Sequence, residues 1–181
     1  MLERIRHALL KKRREQIAYW DLVERAEDHL RALDEDNERD WRLSETRATV
    51  DLAEGRIRFI RPNGSVASAE IQCAGIFGNA GSWSWTWEHP QIDKTLQEQA
   101  RRVREYGERH AMNRLTTKAF VSTEVEAWGL TAVACLLNRA EGAWRIRVPV
   151  GYLYVLFSNL SGARPQELLD YERPPLPVDA D

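Results

Sequence analysis

Glu88-His89 follows directly on the run Trp83-Ser84-Trp85-Thr86-Trp87, which puts a carboxylate and an imidazole at the edge of three alternating indoles. Such a pair can move a proton when both groups reach the same substrate. Indoles beside a few polar groups are also what a small-molecule pocket is made of. Strand alternation sends Trp83, Trp85 and Trp87 to one face and Ser84 and Thr86 to the other. The resulting apolar wall is either covered as core or left open as a binding surface. The sequence leaves that choice open. On the open reading, Trp83, Trp85, Trp87, Glu88 and His89 form a ligand site at the Pro90 end of the strand.

Other chemistries find less support. His7, His29, His89 and His110 are scattered, without metal-ligand spacing, and there is no Cys-x-x-Cys pair, so no metal site is expected. Gly75-x-x-Gly78-x-x-Gly81 lacks the following Gly-Lys-Ser/Thr and leads into a strand, which reads as a hairpin loop and not a phosphate cradle. Cys73 shares the alternation of Ala69 and Ile71, and Cys135 lies in an apolar run. Both read as buried thiols with little nucleophilic character. Arg58, Arg145 and Arg147, with Arg47 and Arg56 nearby, would form a cationic strip only if the last hairpin aligned with them. A solvated face is the simpler reading. No catalytic residue set and no cofactor is expected.

The 181 residues suffice for one domain with a real core, and 26 basic against 28 acidic residues leave a net charge of −2. No global field therefore draws the chain to nucleic acid or to a membrane. Charges interrupt the apolar residues between Leu2 and Leu10, which argues against a signal peptide. No apolar stretch approaches the roughly 20 residues of a membrane helix. Two unpaired cysteines point to a reducing compartment, and a cytoplasmic protein is the expectation.

The elements follow from periodicity. Leu2, Ile5, Leu9, Ile17, Trp20, Val23, Leu30 and Leu33 mark a long helix over residues 2–33, ended by Asp34-Glu35-Asp36-Asn37. Its apolar stripe thins between Leu10 and Ile17, so its first turns are expected to be exposed or packed on a second copy. Alternating segments around Val50, Phe59 and Ile71 lead to the tryptophan strand as a four-strand antiparallel meander, turning at Glu54-Gly55 and Pro62-Asn63-Gly64. A helix is expected from about Asp93 to Arg109. A second opens on the capping box Thr123-Glu124-Val125-Glu126 and is apolar nearly all round, hence central. Two strands close the core: Trp144 to Val148, then Tyr152 to Phe157, apolar on both faces and so interior to the sheet. The expected class is α+β, a single antiparallel sheet of about six strands with helices on one face, preceded by a long N-terminal helix. The chain divides as residues 1–40 (helix and acidic loop), 41–160 (core domain) and 161–181, a loose tail with Pro174, Pro175 and Pro177.

Several motifs in combination resemble a known family. They are Gly81-Ser82-Trp83-Ser84-Trp85-Thr86-Trp87 with Pro90, Val103-Arg104-Glu105-Tyr106-Gly107-Glu108, Leu115-Thr116, and Glu126-Ala127-Trp128-Gly129-Leu130-Thr131-Ala132. From about Trp41 to Phe157 the chain resembles a bacterial family catalogued only as a domain of unknown function, number 6882. The resemblance implies a shared fold and no activity. Two positions depart from the family pattern, His89 in place of asparagine and Gly129 in place of a bulkier residue.

With no catalytic constellation and a large aromatic face, the expected function is a non-catalytic binding or protein-interaction module. A homodimer through the N-terminal helix is the expected assembly. The alternative is a small-molecule enzyme using Glu88 and His89 at the rim of a tryptophan-lined pocket.

Overall fold

The computed structural model describes residues 1–165, so the proline-rich part of the tail lies outside the described residues. The chain runs α1 (Leu2–Trp41), β1 (Arg47–Asp51), β2 (Arg56–Ile60), β3 (Val66–Gly78), β4 (Ser82–Trp85), α2 (Glu98–His110), α3 (Asn113–Thr116), β5 (Ala119–Val121), α4 (Glu124–Asn138), β6 (Gly142–Val148) and β7 (Gly151–Gly162). This is the expected α+β arrangement: one antiparallel sheet, helices against one face, and a long helix in front.

β3 organises the sheet. Its residues 66–70 pair with β2 and residues 75–78 with β4, while β7 runs along its other edge for nearly its whole length. β6 then pairs with β7, which leaves the doubly apolar β7 in the interior as its sequence demanded. The sheet has seven strands, one more than expected, because Ala119–Val121 adds a three-residue strand beside β4. The hairpin between β2 and β3 closes from Gly64 N–H to the Arg61 carbonyl. Of its turn residues only Gly64 has positive φ, 85°, which fits a three-residue loop with glycine in the left-handed position.

Two breaks in register between β3 and β7 curl the sheet. At the second, Ala74 is an extra residue between the pairs Cys73–Val155 and Gly75–Tyr154. The curl creates two apolar interiors. Ile57, Phe59, Ala69, Ile71, Val155 and Phe157 fill the side away from the helices, with Leu43, Ile92 and Leu96 packed over them. Trp83, Trp85, Trp87, Ala74 and Tyr154 face α4, α2 and the middle of α1 on the other. Arg58 stands opposite Ser68 on β3, whereas Arg145 stands beside Tyr154, the partner of Gly75. That separation is on the order of 20 Å along the strand, and the arginines do not form a strip.

α1 extends to Trp41, past the acidic run read as its end. Apart from Asp34, which lines a cleft, the acids stay in water on the helix surface, and Arg39 bridges back to Asp36. Glu38 caps the next turn through the Ser44 amide and hydroxyl. The stop comes at Arg42, which takes a left-handed conformation. Thr123 caps α4 by accepting the Glu126 amide, as the box predicts. The Glu126 carboxylate turns elsewhere, to Ser122 and Arg114. Gly129 lets α1 approach α4 closely: a Cβ there would lie 3.2 Å from Val23 and 3.1 Å from Glu27.

Candidate functional site

The three indoles are core. Trp83 and Trp85 are fully buried and Trp87 is 2% exposed. Trp83 meets Trp85 edge-on at 5.2 Å, Trp85 stacks on Trp87 at 5.7 Å, and Trp83 also contacts Tyr154 edge-on. The Trp85 Nε1–H donates to the Arg114 carbonyl and the Trp87 Nε1–H to the Ala100 carbonyl. Small residues make the cover possible, since Ala100, Val103 and Gly107 line the buried side of α2.

Glu88 and His89 make separate contacts. Glu88 has positive φ, 58°, and its largely exposed carboxylate lies 3.8 Å from the Arg104 guanidinium. His89 Nδ1 accepts the Gln91 amide two residues on. The loop carrying both is organised by Gln97, a residue the sequence did not single out. Its side chain is 1% exposed, accepts the Glu88 amide, and donates to the His89 and Ile92 carbonyls. Gln97→Leu would leave the Glu88 amide and the Ile92 carbonyl without their partner and the His89 carbonyl with the Ile92 amide alone. We expect it to cost about 2–4 kcal/mol in equilibrium denaturation, whereas Glu88→Gln should change stability by less than about 0.5 kcal/mol.

Cys73 and Cys135 are free and buried, and burial pushes each thiol from 9.0 up to about 12. Neither is a nucleophile at neutral pH. A disulfide reagent at pH 8 should therefore titrate no thiol in the native protein and both after denaturation. The same shift has a stability consequence. The folded state holds the two protons while the unfolded chain releases them near 9, so stability falls as pH rises from about 9 towards 12. Replacing both cysteines with alanine should flatten that decline.

What the structure leaves open lies along α1. Residues 1–14 are exposed around the whole helix; contact with the protein body begins at the half-buried Glu15 and Tyr19, and full burial at Leu22, Val23 and Ala26. Leu2 is 81% exposed, Leu9 62% and Trp20 62%. The free arm, 14 residues, is about 21 Å long. It projects with an apolar stripe bare, a surface that ordinarily marks an interaction site. Beyond it, two adjoining clefts of about 410 Å³ each share Asp34 and Trp128. One lies against Leu30, Val125 and Ala132, and the other reaches Trp144, Arg145 and Phe157. Burial holds the Asp34 carboxyl above its usual range. Arg145 is already paired with Glu124 and lies over the Tyr152 ring. None of the 83–89 candidates lines these clefts.

Among the described residues no helix is long and apolar enough to cross a membrane, and no group of three or more His, Cys, Asp or Glu is placed to hold a metal ion. No curated protein and no solved structure matches the chain. A family does: residues 20–160, which hold the sheet, α2, α4 and the packed half of α1 but not the projecting arm, match the family of unknown function DUF6882, and the chain belongs to it.

Proposed function

We propose that the protein is a non-catalytic, cytoplasmic interaction module whose contact element is the projecting N-terminal half of α1. The observation that carries this is the bare stripe of Leu2, Ile5 and Leu9 on helical turns that the body of the protein does not cover, continued by the exposed Trp20 where the helix meets the body. A solitary helix of that length is marginal in water, so an arm of this kind gains its order from a partner. The tryptophan wall serves the fold and leaves the arm as the exposed apolar feature that a partner would cover. The two free, buried thiols fit a reducing compartment.

The test compares the wild type with Ile5→Asp/Leu9→Asp in an extract of cells producing each tagged chain. Gel filtration should place the wild type in a species larger than the monomer and the variant at the monomer position. The two purified proteins should unfold within about 0.5 kcal/mol of each other, because both side chains are exposed. Identical elution at the monomer position would refute the proposal.

A further inference from the structure

We infer that the partner of the arm is a second copy of this chain, docked antiparallel along α1 with the two Trp20 side chains facing each other across a two-fold axis. This rests on the reading of the arm as the contact element and adds its occupant and register.

The charge of α1 is divided. Residues 1–18 hold six Lys or Arg against two Glu, and residues 24–40 hold eight Asp or Glu against three Arg. An antiparallel pair lays each basic half on the other copy's acidic half, while a parallel pair would oppose like charges. The stripes also agree. Separations of seven and eleven residues return a side chain to nearly the same side of a helix. Leu2, Leu9, Trp20, Glu27 and Asp34 are spaced by those intervals. One face of α1 thus carries the bare apolar residues in its first half and carboxylates in its second.

With Trp20 at the axis, Arg13 comes opposite Glu27 of the second copy, Lys12 opposite Asp28 and Arg6 opposite Asp34. The apolar tip then reaches the clefts around Asp34 and Trp128, whose walls include Leu30, Val125 and Ala132. Val125 is itself 77% exposed. The ion pairs already on this surface, Arg31–Asp28 and Arg39–Asp36, are solvent-exposed and weak competitors. The arrangement closes on itself, as isologous two-fold contacts do. The two reciprocal α1 contacts would bury on the order of 1,200 Å², at the lower end of stable interfaces, and we expect a dissociation constant of about 1–50 μM.

Sedimentation equilibrium of the purified full chain tests this. A dimer is expected in that range, weakening about tenfold between roughly 50 mM and 500 mM salt. Lys12→Glu/Arg13→Glu and Glu27→Lys/Asp28→Lys should each weaken self-association at least about tenfold, and mixing the two should restore a heterodimer. Circular dichroism would confirm that both fold. As a second route, Gln16→Cys/Glu24→Cys should form a covalent dimer on oxidation, with the buried native thiols silent. A monomer at all concentrations would overturn the inference, as would failure of the charge-reversed pair to associate. So would a monomer whose arm binds vesicles of anionic lipid. A wild type that is monomeric alone yet large in extract would sink the second-copy partner while leaving the interaction module standing.

Discussion

Trp85→Ala is expected to lower the free energy of unfolding by about 3–5 kcal/mol, as removal of a fully buried aromatic side chain does. Trp85 is at the centre of the wall, edge-on to Trp83 and stacked on Trp87. The truncation would open a cavity between two other indoles and leave the Arg114 carbonyl without its donor. Neither neighbour can collapse into the space, because Trp87 is tied to the Ala100 carbonyl and Trp83 lies against Gly75. Trp20→Ala is the control. Its ring is 62% exposed, and the same truncation should change the stability of the monomer by less than about 0.5 kcal/mol. Urea denaturation of the two variants compares a core indole with a surface one. A cost below about 1 kcal/mol at Trp85 would mean that the wall is not packed.

Gly75→Val should be at least as damaging, about 3 kcal/mol or more, from the opposite cause. A Cβ on Gly75 would stand 2.2 Å from the Trp83 ring, well inside any tolerable contact. Overpacking usually costs 1–3 kcal/mol where neighbours can shift. Here Trp83 is held between Trp85 and Tyr154 and has no free direction. The bulge makes the position special: Ala74 is the extra residue, and Gly75 brings β3 close beneath the indole. Thermal melting of Gly75→Ala and Gly75→Val should show a progressive loss, with the valine variant unfolded or nearly so at 37 °C.

The meander, the central β7 and the central α4 were legible in the sequence because each carries its burial in its pattern. β1 to β3 alternate, β7 is apolar on both faces, and α4 is apolar around most of its circumference. β5 was not legible, since three residues with an exposed Val121 carry no period. The end of α1 was misplaced because Asp34 to Asn37 looks like a helix stop. Exposed acids on a helix surface cost little once Arg39 and Ser44 answer two of them.

The candidate site was less legible than the fold. Adjacent in sequence, Glu88 and His89 looked like partners. The left-handed turn at Glu88 sends one side chain to Arg104 and leaves the other on the Gln91 amide. A glutamate in that conformation has no signature in its neighbours. Whether the indoles are covered depended on helices joined to them only through tertiary packing. Bare turns at the start of α1 could be expected from the thinning of its stripe. The division of α1 into a basic and an acidic half is also plain in the sequence, but its meaning depends on knowing which half the body covers.

Amide hydrogen exchange of the full-length protein at low and high concentration tests the central claim most directly. If the arm is a contact element, amides of residues 2–18 should exchange within seconds in dilute solution, where a helix of that length frays. They should become protected by at least about tenfold at concentrations where the arm is engaged, while those of α4 and β7 stay slow throughout. Rapid exchange of residues 2–18 at every concentration, with no larger species formed either by the purified protein or in cell extract, would contradict the account.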